Sequence, residues 1–229
     1  MWNLKNKLVV ISGATNGIGK AAALELAKHE PRMVLTFRNQ NLADELSSEL
    51  KIVNPNLNVS FVYCDFSNQS SIRRCSKEIL GLAQQIDVLV NNAGVVNTSY
   101  HETEDGIENT FAVNHVGYFL FTNLLLEQML EEVETRIINV SSAAHSFIKE
   151  MNWSDVNFQE GFGMGVAAYG QSKLANLLFT RYLATKLSTS NITVNAIHPC
   201  GVNTALGNQN KTLVGAILKT ILKPFFRSP

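Results

Sequence analysis

Short apolar, β-branched runs alternate along this chain with longer stretches whose apolar positions recur every three to four residues. Lys7–Ser12 (KLVVIS) predicts a buried strand, and a glycine-rich turn leads from it into a helix from about Gly17 to His29. Arg32–Phe37 predicts a second strand and Asn41–Ile52 an amphipathic helix. Val59–Tyr63 predicts a third strand, Ser70–Gln84 a helix, and Asp87–Val90 a fourth strand. A long helical stretch is expected from about Gly106 to Glu131. Arg136–Val140 then reads as a fifth strand, Ala167–Leu187 as a strong helix, and Ile192–Ala196 as a sixth strand.

Strands that are apolar almost throughout and alternate with helices imply a parallel sheet covered on both faces. Right-handed crossovers make this a Rossmann-type doubly wound α/β sheet, with ligands expected at the C-terminal ends of the strands. No repeat, low-complexity tract or linker interrupts residues 1–229, so one domain is expected. The irregular segment Ala143–Val166, rich in Gly, Asn and Ser, follows the fifth strand on that functional edge and reads as a substrate-side lid.

Composition narrows the function classes. Nineteen basic residues balance nineteen acidic ones, and 45% of the residues are apolar. No global field draws the chain to nucleic acid, and the composition is not that of a disordered tail. Cys64, Cys75 and Cys200 are few and widely spaced, which gives neither a disulfide framework nor a zinc-ligand pattern. No secretory segment precedes the first strand, and no run reaches the roughly 18 apolar residues of a membrane span. The expected location is cytoplasmic.

The first strand ends in Ser12-Gly13-Ala14-Thr15-Asn16-Gly17-Ile18-Gly19, and a helix begins there. A pyrophosphate needs close backbone approach and a helix N-terminus, and side chains at these glycines would obstruct it. The loop from Gly13 through Thr15, Asn16, Gly17 and Ile18 to Gly19 is therefore the candidate phosphate cradle. The second strand ends Thr36-Phe37-Arg38-Asn39, with no carboxylate to accept from a ribose 2′-hydroxyl. Arg38, beside Asn39, is placed to accommodate a 2′-phosphate instead. NADP(H) is the expected cofactor, with NAD(H) left open.

In these residues the sequence resembles the short-chain dehydrogenase/reductase family. Asp65 matches the family's acidic residue at the adenine, with Phe66 beside it, and Asn91-Asn92-Ala93-Gly94 matches its NNAG motif. Asn114 in VNHVG, Ser142 in NVSS, and Tyr169 with Lys173 in YGQSK match its active-site tetrad. The stretches TFRN, CDFSN, NVSSAAH and YGQSKLANLLFTRYLA look like the retinol-dehydrogenase-like branch. That resemblance implies a lipophilic alcohol or carbonyl substrate, with retinoids, steroids and lipid aldehydes as the classes. It also implies that Asn91, Ala93 and Gly94 line the cofactor channel while Asn92 stabilises the turn.

The chemistry can be argued from the residues as well. Tyr169 and Lys173 are four apart and share a helix face. A phenol is a poor base at neutral pH, and a neighbouring ammonium is expected to lower its pKa. The resemblance gives Lys173 a further contact with the nicotinamide ribose. It gives Ser142 a hydrogen bond to the substrate oxygen, and Asn114 support of a water relay to Lys173. His145 and His198 read as structural histidines.

Two features depart from the family pattern. After the sixth strand the chain reads His198-Pro199-Cys200-Gly201-Val202-Asn203-Thr204, with Cys200 where a glycine is usual. Pro199, Val202 and Thr204 match the segment that holds the nicotinamide carboxamide. The sequence then ends near Pro229, where family members add a helix and a seventh strand, so those elements are expected to be lacking. Segment 205–229 would lie on the substrate side. Within it, residues 212–226 (TLVGAILKTILKPFF) read as a greasy lid, with peripheral membrane contact as the rival. Homo-oligomerisation stays open, as does a non-catalytic nucleotide-binding protein or an inactive fragment. An epimerase or dehydratase of the wider superfamily is a third reading.

Overall fold

The computed structural model describes residues 3–82, 84–129 and 133–199. Cys200, Val202, Thr204 and the segments 205–229 and 212–226 lie outside the described residues, and so do the expectations attached to them. Six parallel strands are described: β1 (Leu8–Ile11), β2 (Arg32–Phe37), β3 (Asn58–Tyr63), β4 (Val88–Asn91), β5 (Thr135–Val140) and β6 (Ile192–Ile197). They form one sheet in the order β3-β2-β1-β4-β5-β6. The order reverses between β1 and β4, which pair Val9 with Val88 and Ile11 with Val90. A crevice opens at such a switch point because the loops after the two strands run to opposite faces.

Alternation along the strands sorts their side chains into two layers. Val10, Val34, Leu89, Ile137 and Val194 face one apolar cluster. Into it pack α3 (Gln69–Leu82) through Ile72 and Ile79, and α6 (Val166–Lys186) through Phe179 and Leu183. Val9, Ile11, Met33, Leu35 and Val88 face the other cluster. This one is covered by α1 (Gly17–Ala27) through Ala23 and Ala27, and by α2 (Gln40–Val53) through Leu46 and Leu50. Helices on both faces make the sheet doubly wound, as the patterning implied.

The long helix expected from Gly106 to Glu131 is broken. Buried Glu108 caps a short α4 (Asn109–Phe111), accepting from the backbone N–H groups of Thr110 and Phe111 at 2.7 Å each. A π turn over Ala112–Val116 follows, closed by Gly117 N–H onto the Ala112 carbonyl. Only then does α5 (Gly117–Leu125) begin, ending in a 3-10 turn at Leu126–Gln128. The side chain of Asn114 gives the turn a reason. Its Oδ1 accepts from Val95 N at 2.8 Å and its Nδ2 donates to Val95 O at 3.0 Å, while Asn176 Nδ2 donates to the Asn114 carbonyl at 2.9 Å. Among the described residues no helix is long and apolar enough to cross a membrane.

Candidate active site

A cleft of about 350 Å³ runs along the C-terminal edge of the sheet. At one end stands the loop after β1. Gly13 has φ +63°, and a Cβ there would come within 2.7 Å of Ala93 Cα. Glycine is required on both counts. Ser12 stands where the family usually has Thr, and its buried Oγ accepts from the N–H groups of Asn92 and Ala93 at 2.8 and 3.0 Å. One hydroxyl thereby joins the loops after β1 and β4.

Thr15, Asn16, Gly17 and Ile18 line the cleft, and Asn16 caps α1 by accepting from Gly17 N at 2.7 Å. The first-turn N–H groups of α1 open toward it. Gly19 is buried behind this wall: a Cβ there would overlap Asn92 Nδ2 and the Gly13 carbonyl oxygen. Arg38 and Asn39 line the far side, where Asn39 Oδ1 caps α2 through Leu42 N. The Arg38 side chain is 61% exposed and lies 3.9 Å from Asp65 Oδ1, so its charge is available to a ligand. Asp65 stands behind the wall, accepting from Ser67 N and Oγ at 2.9 and 2.7 Å, while Phe66 lines the cleft.

The two asparagines at the end of β4 differ from expectation in one respect, for Asn92 both stabilises the turn and takes the place in the cleft expected of Asn91. Asn91 does not line the channel; it is fully buried, with Nδ2 donating to Thr122 Oγ1 and Asn139 Oδ1 at 2.8 Å each. Asn92 lines the cleft and donates to the carbonyls of Ser12 and Gly13 at 2.9 and 3.0 Å. Asn91 is the last residue of β4, and its alternation turns it into the core. Ala93 and Gly94 line the cleft as expected.

At the other end, β5 delivers Ser142 and α6 delivers Tyr169 and Lys173. Ser142 caps a 3-10 turn over Ala143–Phe147, accepting from Ala144 N at 3.2 Å. It also hydrogen-bonds the Tyr169 phenol. Lys173 is buried and donates to the Val140 carbonyl at 3.0 Å. Asn114 is fully buried behind them; its Nδ2 also reaches Ser172 Oγ, at 3.1 Å.

The electrostatics correct one expectation. The Tyr169 pKa is raised, not lowered, because burial outweighs the Ser142 hydrogen bond. The same burial lowers Lys173 to about 7, so near neutrality the amine is charged only part of the time and its pull on the phenol is weakened.

Some residues at the site have no role assigned by the motifs. His198 lines the cleft beside Pro199 and accepts from Ala143 N at 3.2 Å, holding the strand end next to Ser142. His145 Nδ1 lies 2.6 Å from the Ser142 carbonyl oxygen. Both are structural partners of the serine turn. Cys64 also lines the cleft, its thiol pushed up by a hydrogen bond with Cys75 and by burial. Only their adjacency to the motif residues pointed to these three.

The doubly wound sheet and the glycine loop at its switch point define a nucleotide-binding α/β protein. The model of the short chain dehydrogenase family matches residues 7–213, and the chain belongs to that family as a short-chain alcohol dehydrogenase/reductase of the retinol-dehydrogenase-like branch. Human retinol dehydrogenase 13 is 38% identical over 223 residues, covering 97% of this chain and 67% of the relative. Mouse retinol dehydrogenase 12 is 39% identical over 225 residues, covering 98% and 70%. Among solved structures, a protein from Mycobacterium paratuberculosis is 33% identical with a TM-score of 0.75, covering 88% of this chain and 70% of its own. A blue fluorescent protein from a metagenomic library, crystallised in complex with NADPH, is 26% identical with a TM-score of 0.73, covering 95% and 83%.

Proposed function

We propose that this chain interconverts a lipophilic alcohol and its carbonyl compound with NADP(H), Tyr169 acting as the acid/base. The observation that carries this reading is the meeting of Ser142, Tyr169 and Lys173 at one end of a cleft whose other end is a glycine loop. The close approach of Gly13 to Ala93 fits a dinucleotide, since a side chain at Gly13 or Gly19 would push apart the two loops that form its cradle. When bound, the nicotinamide supplies or accepts the hydride.

The protein's own groups handle the proton and the developing charge. In reduction the Tyr169 phenol gives its proton to the carbonyl oxygen; in oxidation its phenolate takes the proton back from the alcohol. Ser142, which hydrogen-bonds Tyr169 before substrate arrives, then turns its one proton to the same substrate oxygen, stabilising charge where it grows. Lys173, when charged, favours the phenolate and holds the ribose hydroxyls. Asn114 fixes the backbone behind Lys173 and sustains proton return to it.

Arg38 and the missing carboxylate at the end of β2 support NADP(H), and the names of the relatives support a retinoid-like substrate. The test is a fluorescence titration with NADPH and NADH, followed by turnover of retinaldehyde and long-chain aldehydes. Tight NADPH binding with carbonyl-dependent NADPH oxidation is expected. Binding without turnover of any lipophilic carbonyl or alcohol would overturn the catalytic part.

A further inference from the structure

Two phenol rings flank Lys173, and the reaction uses only one of them. Its Nζ lies 5.7 Å from the Tyr169 ring centroid and 5.6 Å from that of Tyr118. Tyr118 sits on α5, fully buried, and its hydroxyl has no hydrogen-bond partner among the described residues. An orphaned hydroxyl in a core is costly, and an apolar residue would pack there without that cost. The ring, however, presents an electron-rich face to a buried cation. Among the described residues Lys173 donates one hydrogen bond, to Val140 O, where an ammonium carries three donors. Aromatic faces can stabilise the rest of such a charge once water is excluded.

We propose that Tyr118 is a positioning residue for Lys173: together with the Tyr169 ring, its face holds the ammonium at the base of the cleft and keeps it charged where burial would neutralise it. The proposal rests on reading Tyr169 and Lys173 as the acid/base pair. Burial makes the two tyrosines unequal. It pushes Tyr118 well above the ordinary phenol range, whereas Tyr169, also raised, is partly relieved by Ser142. Tyr118 stays neutral and offers its ring; Tyr169 is the phenol that ionises.

The titratable groups facing Lys173 come from three elements. They are Tyr169 on its own helix, Tyr118 on α5, and His115 on the π turn, whose pKa is lowered by burial and, less, by the Lys173 charge, against a hydrogen bond with Asn176 that raises it. From β5 the lysine meets the Val140 carbonyl.

The test compares Tyr118→Phe, which keeps the ring and removes the hydroxyl, with Tyr118→Leu, which removes the ring. The Lys173 titration is followed by NMR of ¹³C-lysine-labelled full chain, with Lys173→Met assigning the signal. The pH profile of kcat is measured beside it. Tyr118→Phe should titrate with the wild type, whereas Tyr118→Leu should titrate lower by about one pH unit, a tenfold change. The kcat limb should move with it, while KM for the carbonyl substrate stays within about twofold. An unchanged Lys173 titration in Tyr118→Leu would overturn the proposal. Should that variant fail to fold, Tyr118→Met, with a longer side chain to fill the site, is read the same way. The NMR titration needs no turnover, so an inactive wild type would sink the reductase reading while the shift still decides the role of Tyr118.

Discussion

Asn92 is tied to Gly13, its Nδ2 donating to the Gly13 carbonyl at 3.0 Å, so the turn after β4 is laced to the phosphate loop 79 residues away. A Cβ on Gly19 would overlap both partners of that bond. Neither can retreat easily, because the carbonyl is backbone and the amide is also bonded to Ser12 O. Gly19→Ala should lower stability by about 1–3 kcal/mol, the range for overpacking. NADPH affinity should fall with it, read by thermal melting and by fluorescence titration; a variant that melts and binds like the wild type would refute the lacing.

Tyr169→Phe removes the proton donor and keeps the ring beside Lys173. Turnover should fall by about 10²–10⁴, the usual worth of a positioned acid/base. The Kd for NADPH should stay within about twofold, because the phosphate loop is untouched. Steady-state kinetics and a binding titration on the same preparation check both halves.

Arg38→Leu deletes the exposed cation at the end of β2. A guanidinium–phosphate contact is charge-assisted, so NADPH affinity should weaken by about tenfold or more while NADH affinity is nearly unchanged. Equal losses for the two nucleotides would mean that Arg38 supports the wall and does not read the 2′-phosphate.

Glu108→Gln probes the buried cap of α4. The Glu108 carboxyl is raised above 4.5, chiefly by burial, so the folded state binds more protons than the unfolded state between 4.5 and the raised value. That contribution to stability is fully present below 4.5 and lost as pH rises through the folded pKa. Glutamine has one acceptor for two N–H groups, so the variant should be less stable by about 1 kcal/mol at neutral pH. The deficit should widen as pH falls from neutral toward 4.5, as the wild type takes up its extra proton on passing through the raised pKa. Urea unfolding at the two pH values measures it.

What the sequence made legible, and what it hid, divides along physical lines. The bounds of β2 were readable to the residue because Pro31 and Arg38 punctuate an apolar run. The break inside the 106–131 stretch was not, because FAVNHVGYFLF is largely apolar and its single glycine, Gly117, is a residue that a continuous helix also tolerates. That break is made by Asn114 bonding to Val95, a contact 19 residues away along the chain. Asn91 and Asn92 look alike in NNAG, and only the end of β4 decides which of them meets the cleft. The spacing of Tyr169 and Lys173 was plain, but their burial was not, and burial sets the sign of both pKa shifts.

The π turn over Ala112–Val116 also bears on which changes in length this chain can absorb. A π turn closes over one residue more than an α turn. Deleting one residue there would leave a regular helix, with Tyr118, Phe121 and Leu125 still facing inward, at the cost of the Asn114 bonds to Val95 and Ser172 and of the proton return proposed for it. α6 has no such slack. Removing one residue between Tyr169 and Lys173 would swing the lysine by about 100° around the helix axis, off the tyrosine's face. A one-residue deletion therefore spares the packing at the first helix and is ruinous at the second, although the first faces the lysine that the second carries.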